Sequence, residues 1–299
     1  VAGIFVLNYS IYLLNHTDFV YICKCIEHIS STMSVSDWIE RQVPSGRYTF
    51  SKEDVRQAFP SMTAHAIDTA VARAVSKKRI FSPCRGFYVV VPEEYKLWKA
   101  VPQEVYLDRM MQHLGRTYYV SLLSAAERHG AAHQAPMDFQ VMVEPPILRD
   151  KERDGYAIRY VERRKIPMDY VQRIEVPTGW MNVSSPELTA VDLVVYQEHA
   201  GGLTRAATVL EELSHKLDFT RFGAAFLRVA SVPVFQRLGY LLDRVLGEEG
   251  IAESLLALMK SGGFKMKTVP LRLGMPTDGA DVDQKWKVIV NQTIDIDDL

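Results

Sequence analysis

Apolar and polar residues alternate with helical spacing over residues 62–79, MTAHAIDTAVARAVSKKR. The apolar positions recur every three or four residues, which is the spacing of one buried helix face. They are Met62, Ile67, Ala70, Val71, Ala74 and Val75. The opposite face is polar and carries Thr63, His65, Asp68, Thr69, Arg73 and Ser76. The pattern predicts an amphipathic helix that Ser61 caps, after Pro60 has ended the helix before it.

Two shorter helices and a strand are predicted ahead of this helix. Residues 34–42, SVSDWIERQ, are typical of a short helix, and residues 45–50 of a turn followed by a strand. Residues 51–59 begin with Ser51 and carry Asp54 three positions later. This spacing is an acidic form of the capping box, which predicts a helix that begins at Ser51.

A hairpin is predicted directly after the long helix. Residues 80–82 and 87–91 are mostly aromatic or β-branched, and the four residues 83–86, PCRG, separate them. Two such strands around a short glycine-containing turn favour a β-hairpin. Helix, helix, turn, helix and hairpin over residues 34–91 is the order of a winged helix-turn-helix.

That order predicts where the smaller domain meets DNA. The first residues of the recognition helix contact bases in the major groove, while basic residues at its end and on the wing contact phosphates. The candidate DNA-binding residues are therefore Ser61, Thr63, His65, Thr69, Arg73, Lys77, Lys78, Arg79 and Arg85. The alternative for the KKR run is a solvated helix end, where cations stabilise the helix dipole.

Residues 92–102 contain prolines and charges and predict a linker, and residues 103–299 predict a larger α+β domain. Strands are expected at 138–145, 156–163 and 170–178, and short ones near the C-terminus. Helices are expected at 102–115, 119–131, 185–199 and 203–217, and in three segments between 222 and 262. Ser185 and Pro186 are typical of the cap and first turn of a helix. The fold class predicted for the whole chain is α+β, with an N-terminal winged helix-turn-helix.

Residues 1–33 form an atypical N-terminal segment. They are apolar but interrupted by polar residues, among them Asn8, Asn15 and Asp18. The segment has neither the basic start of a signal peptide nor the roughly 20 uninterrupted apolar residues of a membrane span. Because the first methionine is Met33, we expect that translation begins there and that the residues before it are not native. The alternative is a genuine N-terminal helix.

Charge is distributed unevenly along a chain whose net charge is only −1. Residues 34–91 contain nine Lys and Arg against five Asp and Glu, so the basic excess lies in the predicted DNA-binding domain. The three cysteines, Cys23, Cys25 and Cys84, are too few for a disulfide framework, which favours a reducing, cytoplasmic location. The 47% apolar and 24% charged composition is that of a folded globular protein.

Catalytic motifs are missing from the sequence. It contains no phosphate-binding glycine loop and no nucleophile elbow. His129 and His133 have the spacing of a helical metal pair, but Gly130 separates them and no glutamate follows His129. Ser121 and Ser124 share a segment with His129, whereas a working triad is assembled from distant segments. We therefore predict no enzyme activity, no catalytic residue, no metal and no cofactor.

Three stretches together resemble the AbiEi family of antitoxins, over about residues 34–275. They are the N-terminal helices and hairpin ending in CRGFYVV, the segment YYVSLLSAAERHGA, and SSPELTAVDLVVY with the following GGLTRAATVLEEL and QRLGYLLD. The resemblance implies the antitoxin of a type IV toxin–antitoxin and phage-defence pair, which also represses its own operon by binding inverted repeats in the promoter. It also implies a nucleotidyltransferase-like toxin as the functional partner, with no stable complex required.

A monomer in solution is compatible with the sequence, which leaves the oligomeric state open, and no membrane partner is expected. Because a single winged helix makes few phosphate contacts, we expect the chain to pair on DNA. Two other functions stay open. One is a winged-helix transcription regulator whose larger domain senses a ligand or dimerises, without a toxin. The other is an enzyme that acts on nucleic acid after the smaller domain has bound it.

Overall fold

The computed structural model describes residues 4–7, 10–13, 33–96, 101–131, 138–153 and 156–296. The chain divides into two compact units, Val1–Glu94 and Tyr95–Leu299. Both combine helices with strands, which confirms the predicted α+β class. Cys23, Cys25 and His133, the last of them part of the histidine pair considered above, lie outside the described residues.

The described part of the smaller unit contains three α-helices and two small sheets. Strands β1 Ile4–Leu7 and β2 Ser10–Leu13 pair with each other, so these residues are not part of the N-terminal helix that was one alternative. The second sheet has the order β3-β5-β4, with both pairs antiparallel. The elements after Met33 are α1 Val35–Glu40, β3 Thr49–Ser51, α2 Lys52–Ala58, α3 Ala64–Ser76, β4 Ile80–Cys84 and β5 Phe87–Val90.

Short side chains determine where these helices begin. Ser51 and Asp54 form a capping box at the start of α2, as the sequence predicted. The N-cap of α3 is Thr63, however, so the prediction of Ser61 was wrong: the Thr63 Oγ1 accepts a hydrogen bond of 3.2 Å from the Ala66 amide. With Thr63 as N-cap, Met62 and Ile67 occupy the two positions of a hydrophobic staple, and both pack in the same apolar core.

The hairpin is tighter than the sequence predicted. Strand β4 continues through Pro83 to Cys84, and Cys84 is directly opposite Phe87, so the turn contains only Arg85 and Gly86. Gly86 has a φ of +76°, which a glycine adopts without steric cost. Pro83 lies on the edge strand of the sheet, where the pairing register shifts between Phe81 and Cys84, and a strand tolerates proline at such a position.

An apolar core joins the three helices to the sheet of the smaller unit. Trp38 packs edge-on against Phe50, with 5.2 Å between ring centroids, and Phe50 stacks on Tyr88 at 5.4 Å. Ile39 and Val55 are fully buried beneath these rings. Edge-on and offset pairs of aromatic rings stabilise a core beyond the area that they bury.

The larger unit is built on a six-stranded sheet with the order β10-β11-β6-β7-β9-β8. Strands β11 and β6 are parallel, as are β7 and β9, and the remaining neighbours are antiparallel. The strands are β6 Tyr118–Val120, β7 Phe139–Val143, β8 Lys151–Arg153, β9 Tyr156–Glu162, β10 Val171–Val176 and β11 Gly179–Ser184. Short strands near the C-terminus form a second sheet with the order β12-β14-β13: β12 Val269–Pro270, β13 Val282–Asp283 and β14 Val288–Ile289.

Helix α7 lies at the centre of the larger unit. It begins with Ser185 as N-cap and Pro186 in its first turn, as predicted, and its residues from Glu187 to Val194 are all buried. A helix that is buried all round belongs to a core rather than a surface. Helix α4 Glu93–Lys96 includes the boundary between the two units. The α-helices that follow it are α5 Leu107–Leu114, α6 Leu122–Arg128, α7 Pro186–Val195, α8 Leu203–Ser214, α9 Val232–Tyr240 and α10 Glu249–Ser261.

Several of the predicted elements of the larger unit were wrong in type or extent. Residues 118–120 are a strand, although the sequence predicted a helix from residue 119. Ala224–Val229 is a 3₁₀ helix, and Leu241–Val245 is a π-helical turn that follows α9. The sequence analysis did not predict β8 and β11, the first a short edge strand and the second a central strand.

Candidate nucleic-acid interface

The outward face of α3 carries the residues that the sequence assigned to base contacts. His65 and Arg73 are exposed and Thr69 is half-buried, and their spacing of four places them on one side of the helix. The Thr69 hydroxyl donates a 2.9 Å hydrogen bond to the His65 carbonyl, so its proton is already committed within the helix. Ser61 is exposed in the turn between α2 and α3. His65 and Arg73 therefore offer the most available polar groups on this face.

The basic run follows α3 rather than forming its last turn. The helix ends at Ser76, Lys77 is its C-cap, and Lys78 adopts a left-handed φ of +55°. The Arg79 amide donates to the Ala74 carbonyl at 3.1 Å and the Lys78 amide to that of Val75 at 2.9 Å. These two bonds define a Schellman motif with lysine at the position where glycine is usual. The prediction that the helix extends to residue 79 was wrong for this reason.

Arg79 differs from the two lysines before it. Its guanidinium forms an ion pair with Glu40 and a hydrogen bond to the Ser36 hydroxyl, both on α1. The side chain is only 37% exposed. Arg79 therefore links the start of the hairpin to α1, and its charge is partly neutralised within the unit. Arg85 lies exposed in the turn of the hairpin, at the tip of the wing that the sequence predicted.

The ion pairs around α3 determine the net charge of the candidate interface. Among the described residues, no carboxylate lies within ion-pair distance of Arg73, Lys77 or Lys78. Asp68 is the acid on α3, and Lys52 of α2 pairs with it. The sequence analysis did not consider Lys52. Its position in the first turn of the helix before α3 could have indicated a basic residue near α3. The exposed edge of α3 is consequently positive.

A different cluster is buried in the larger unit. The Arg163 guanidinium forms an ion pair with Asp192 and donates hydrogen bonds to the Tyr119 hydroxyl at 3.0 Å and the Val229 carbonyl at 2.6 Å. The Tyr119 hydroxyl in turn donates to Asp192 at 2.8 Å. Burial by itself would lower the pKa of Arg163, but the Asp192 carboxylate raises it. Burial, and then the same carboxylate, raise the pKa of Tyr119.

This buried cluster joins three elements rather than opening to a substrate. Tyr119 belongs to β6, Arg163 follows β9, and Asp192 lies on α7. Asp192 has no exposed surface and Arg163 is 6% exposed. A buried charged pair is costly unless its hydrogen bonds are satisfied, and here each partner makes more than one. The cluster therefore acts as a connection between the sheet and its central helix.

Of the serines and the histidine that the sequence singled out, His129 and Ser124 form side-chain hydrogen bonds here. The His129 Nε2 lies 2.7 Å from the Ser184 carbonyl and donates this bond, because a carbonyl oxygen only accepts; burial lowers the pKa of His129. The Ser124 hydroxyl accepts from the Gln140 amide at 2.9 Å. The Ser121 hydroxyl is fully buried. The structure does not bring Ser121 or Ser124 within hydrogen-bonding distance of His129.

The described residues hold neither a metal site nor a membrane-spanning helix. They contain no group of three or more His, Cys, Asp or Glu side chains arranged to hold a metal ion. None of their helices combines the length and the apolar character that crossing a membrane requires. The exposed basic residues at the end of α3, which are Arg73, Lys77 and Lys78, are therefore the candidate functional site.

Comparison with known proteins finds a family model that matches part of the larger unit. Residues 119–244 match the family model of the AbiEi antitoxin C-terminal domain. The match extends from β6 to the π-helical turn after α9 and confirms the resemblance drawn from the sequence motifs. No curated protein is similar enough to this chain to count as a match.

A solved structure has a similar fold. The crystal structure of the RV2827C protein from Mycobacterium tuberculosis aligns with 85% of this chain and 90% of its own length. The TM-score is 0.61 and the sequence identity 14%. At this identity the likeness concerns the fold alone.

Proposed function

We propose that this chain, whose residues 119–244 match the AbiEi antitoxin C-terminal domain, is the antitoxin of a type IV toxin–antitoxin pair and represses its own operon. The family match supports an antitoxin role for the larger unit. Repression is assigned to the smaller unit, where the basic excess of the chain lies. The partner that we propose is a nucleotidyltransferase-like toxin encoded beside it.

The order of elements in the smaller unit supports our assignment of a winged helix-turn-helix. Helices α2 and α3 are joined by a five-residue turn, and a hairpin with a two-residue tip follows them. In such domains the second helix enters the major groove and its N-terminal residues contact base edges. We accordingly assign base contacts to Thr63 and His65, and phosphate contacts to Lys77, Lys78 and Arg85.

The DNA-binding proposal rests on three exposed basic residues, Arg73 on α3 and Lys77 and Lys78 directly after it. The stretch from residue 73 to residue 78 contains Arg73, Lys77 and Lys78. Among the described residues, no carboxylate forms an ion pair with any of the three. Each cation that contacts a phosphate releases a counterion, so affinity depends on salt with a slope of about −0.9 per contact. Few contacts come from one copy, and we therefore propose that two copies bind an inverted repeat, with half-sites about one helical turn apart.

The DNA-binding proposal is tested by fluorescence anisotropy with the full chain and the DNA upstream of its gene. The Lys77→Ala, Lys78→Ala double variant should lower the salt slope by about two, because two phosphate contacts are removed. Lys260→Ala is the matched control, since Lys260 is an exposed lysine on α10 in the larger unit. An unchanged salt slope in the double variant would exclude this edge of α3 as the phosphate-binding surface.

Base contacts by the start of α3 predict a different result from phosphate contacts. His65→Ala should lower affinity by about 1–3 kcal/mol for one position of the repeat and leave binding to unrelated DNA unchanged. An equal loss on scrambled DNA would show that His65 only positions the domain.

The antitoxin half of the proposal is tested in cells. The full chain should relieve growth arrest when it is expressed with the product of the adjacent gene, and colony counts measure this. Growth arrest that persists despite soluble, DNA-binding antitoxin would instead favour a transcription regulator that has no toxin partner.

A further inference from the structure

The larger unit contains two deeply buried arginines with opposite surroundings. Arg163 is 6% exposed and has the carboxylate of Asp192 as its partner. Arg237, on α9, is 8% exposed, and among the described residues its guanidinium contacts no carboxylate. An uncompensated buried charge is one of the most costly features that a folded protein can contain.

The protein contacts of Arg237 occupy only one side of its guanidinium. Its Nε donates a 2.9 Å hydrogen bond to the Pro270 carbonyl of β12. The two terminal nitrogens, Nη1 and Nη2, have no partner among the described residues, yet they are not among the fully buried polar atoms. The two terminal nitrogens therefore reach the surface, in agreement with the 8% exposure of Arg237. Burial lowers the pKa of Arg237, and no neighbouring carboxylate opposes this effect.

A carbonyl contact alone does not explain why this residue is charged. The neighbouring Gln236 also holds the C-terminal segment, by donating hydrogen bonds of 2.8 Å to the carbonyls of Lys267 and Trp286. Gln236 does this with a neutral amide and without the cost of burying a charge. By contrast, Arg244, seven residues after Arg237, has Asp283 as a partner at 2.9 Å.

We propose that Arg237 is the centre of an anion-binding site in the larger unit, and that the anion is a phosphate group. With Nε committed to Pro270, the two terminal nitrogens form a planar fork that matches two oxygens of one phosphate. The bound anion supplies the counter-charge that the protein does not. This site is independent of the proposed DNA interface, since it lies in the other unit and does not require a toxin.

Thermal unfolding of the full chain tests the site, with inorganic phosphate, AMP and acetate as separate probes. Phosphate or AMP should raise the midpoint saturably, because a ligand that binds only the folded state stabilises it. Phosphate is also excluded from protein surfaces and stabilises folded proteins without binding. The shift in the Arg237→Met variant measures this second effect, together with any phosphate bound by the basic edge of α3.

The variants separate an anion site from a structural arginine. Arg237→Met should lose the saturable shift while unfolding at an equal or higher midpoint without phosphate. Arg237→Lys retains a charge but not the fork and should bind roughly tenfold more weakly. Arg244→Met is the matched control and should keep the full phosphate-dependent shift. If Arg237→Met does not fold, Arg237→Lys still provides the comparison.

Three outcomes would overturn the proposal. One is an equal saturable shift in the wild type and in Arg237→Lys or Arg237→Met. Another is no saturable shift in the folded wild type. The third is stabilisation by acetate alone, which would assign the site to carboxylates rather than phosphates. The DNA-binding measurements would be unaffected by any of these results, so failure of this site and failure of the proposed function are distinguishable.

Discussion

Lys78 combines a left-handed backbone conformation with a proposed phosphate contact, and the two can be separated by mutation. Its φ of +55° is unfavourable for lysine, by about 1–2 kcal/mol relative to glycine. Glycine loses more chain entropy on folding, about 0.5–1 kcal/mol. We predict that Lys78→Gly stabilises the protein by a net amount of about 0.5–1 kcal/mol, measured by urea unfolding, while weakening DNA binding through one lost phosphate contact.

Lys77→Gly is the control for this prediction. Lys77 has a φ of −80°, so glycine relieves no strain there and should lower stability by about 0.5–1 kcal/mol. Both variants remove one positive charge from the same edge, so their salt slopes should fall equally. A loss of stability in Lys78→Gly would contradict the explanation from backbone strain.

The buried pair of Arg163 and Asp192 makes a second prediction at this scale. Asp192→Ala leaves Arg163 buried without its carboxylate and should cost about 3–5 kcal/mol in the free energy of unfolding. Tyr119→Phe removes the hydroxyl that donates to Asp192 and accepts from Arg163, and should cost about 1–3 kcal/mol. Urea unfolding of both variants measures the difference. Equal costs would show that the ion pair contributes no more than the tyrosine hydroxyl.

Some residue roles were accessible from the sequence and others were not. The capping box of Ser51 and Asp54 follows from local spacing, and the structure confirms it. The choice between Ser61 and Thr63 as the cap of α3 depends on where Met62 and Ile67 pack, which is a tertiary effect. The partners of Arg163 and Arg237 come from segments far away in sequence, so no local pattern could have predicted them.

At the scale of elements, α9 and the C-terminal strands depend on one close contact. A Cβ at Gly239 would lie 2.0 Å from the ring of Trp286, which is fully buried and donates from its Nε1 to Asp243 at 2.7 Å. We predict that Gly239→Ala displaces Trp286 and weakens the packing of β12 and β14 on α9, at a cost of about 1–3 kcal/mol or more. Tryptophan fluorescence and limited proteolysis measure the displacement.

Gly223→Ala is the matched control, because a Cβ at Gly223 meets nothing within 4 Å and its φ of −94° suits any residue. It should leave the fluorescence spectrum and the proteolysis rate unchanged. Unaltered Trp286 fluorescence in Gly239→Ala would mean that α9 shifts instead of the tryptophan.

Elements with a strong periodic pattern were predicted well, and those defined by pairing were not. The spacing of apolar residues located α3, and the run of apolar residues after Ser185 located α7. Strand β11, by contrast, contains glycine and asparagine and is a strand because β6 and β10 pair with it. Residues 118–120 look helical from their neighbours, yet they form the strand that pairs with β7 and β11.

At the scale of the whole molecule, the division into two units predicts a division of functions. The unit Tyr95–Leu299 has its own extensive apolar core, and about 200 residues are enough for independent folding. We predict that a fragment from Pro102 onward folds alone, shows a cooperative urea transition and does not bind promoter DNA. If the larger unit carries the antitoxin activity, this fragment should still relieve growth arrest by the adjacent toxin.

The complementary fragment, residues 33–94, should show the reverse behaviour. It contains α3 and the hairpin and should bind DNA weakly, because one copy makes few phosphate contacts. It should give no protection in cells, since it contains none of residues 119–244, which match the antitoxin domain. Co-expression of each fragment with the toxin, scored by colony counts, decides the matter. Protection by the smaller fragment, with none from a folded larger one, would transfer the antitoxin activity to the DNA-binding unit and leave the family domain with the ligand-sensing role.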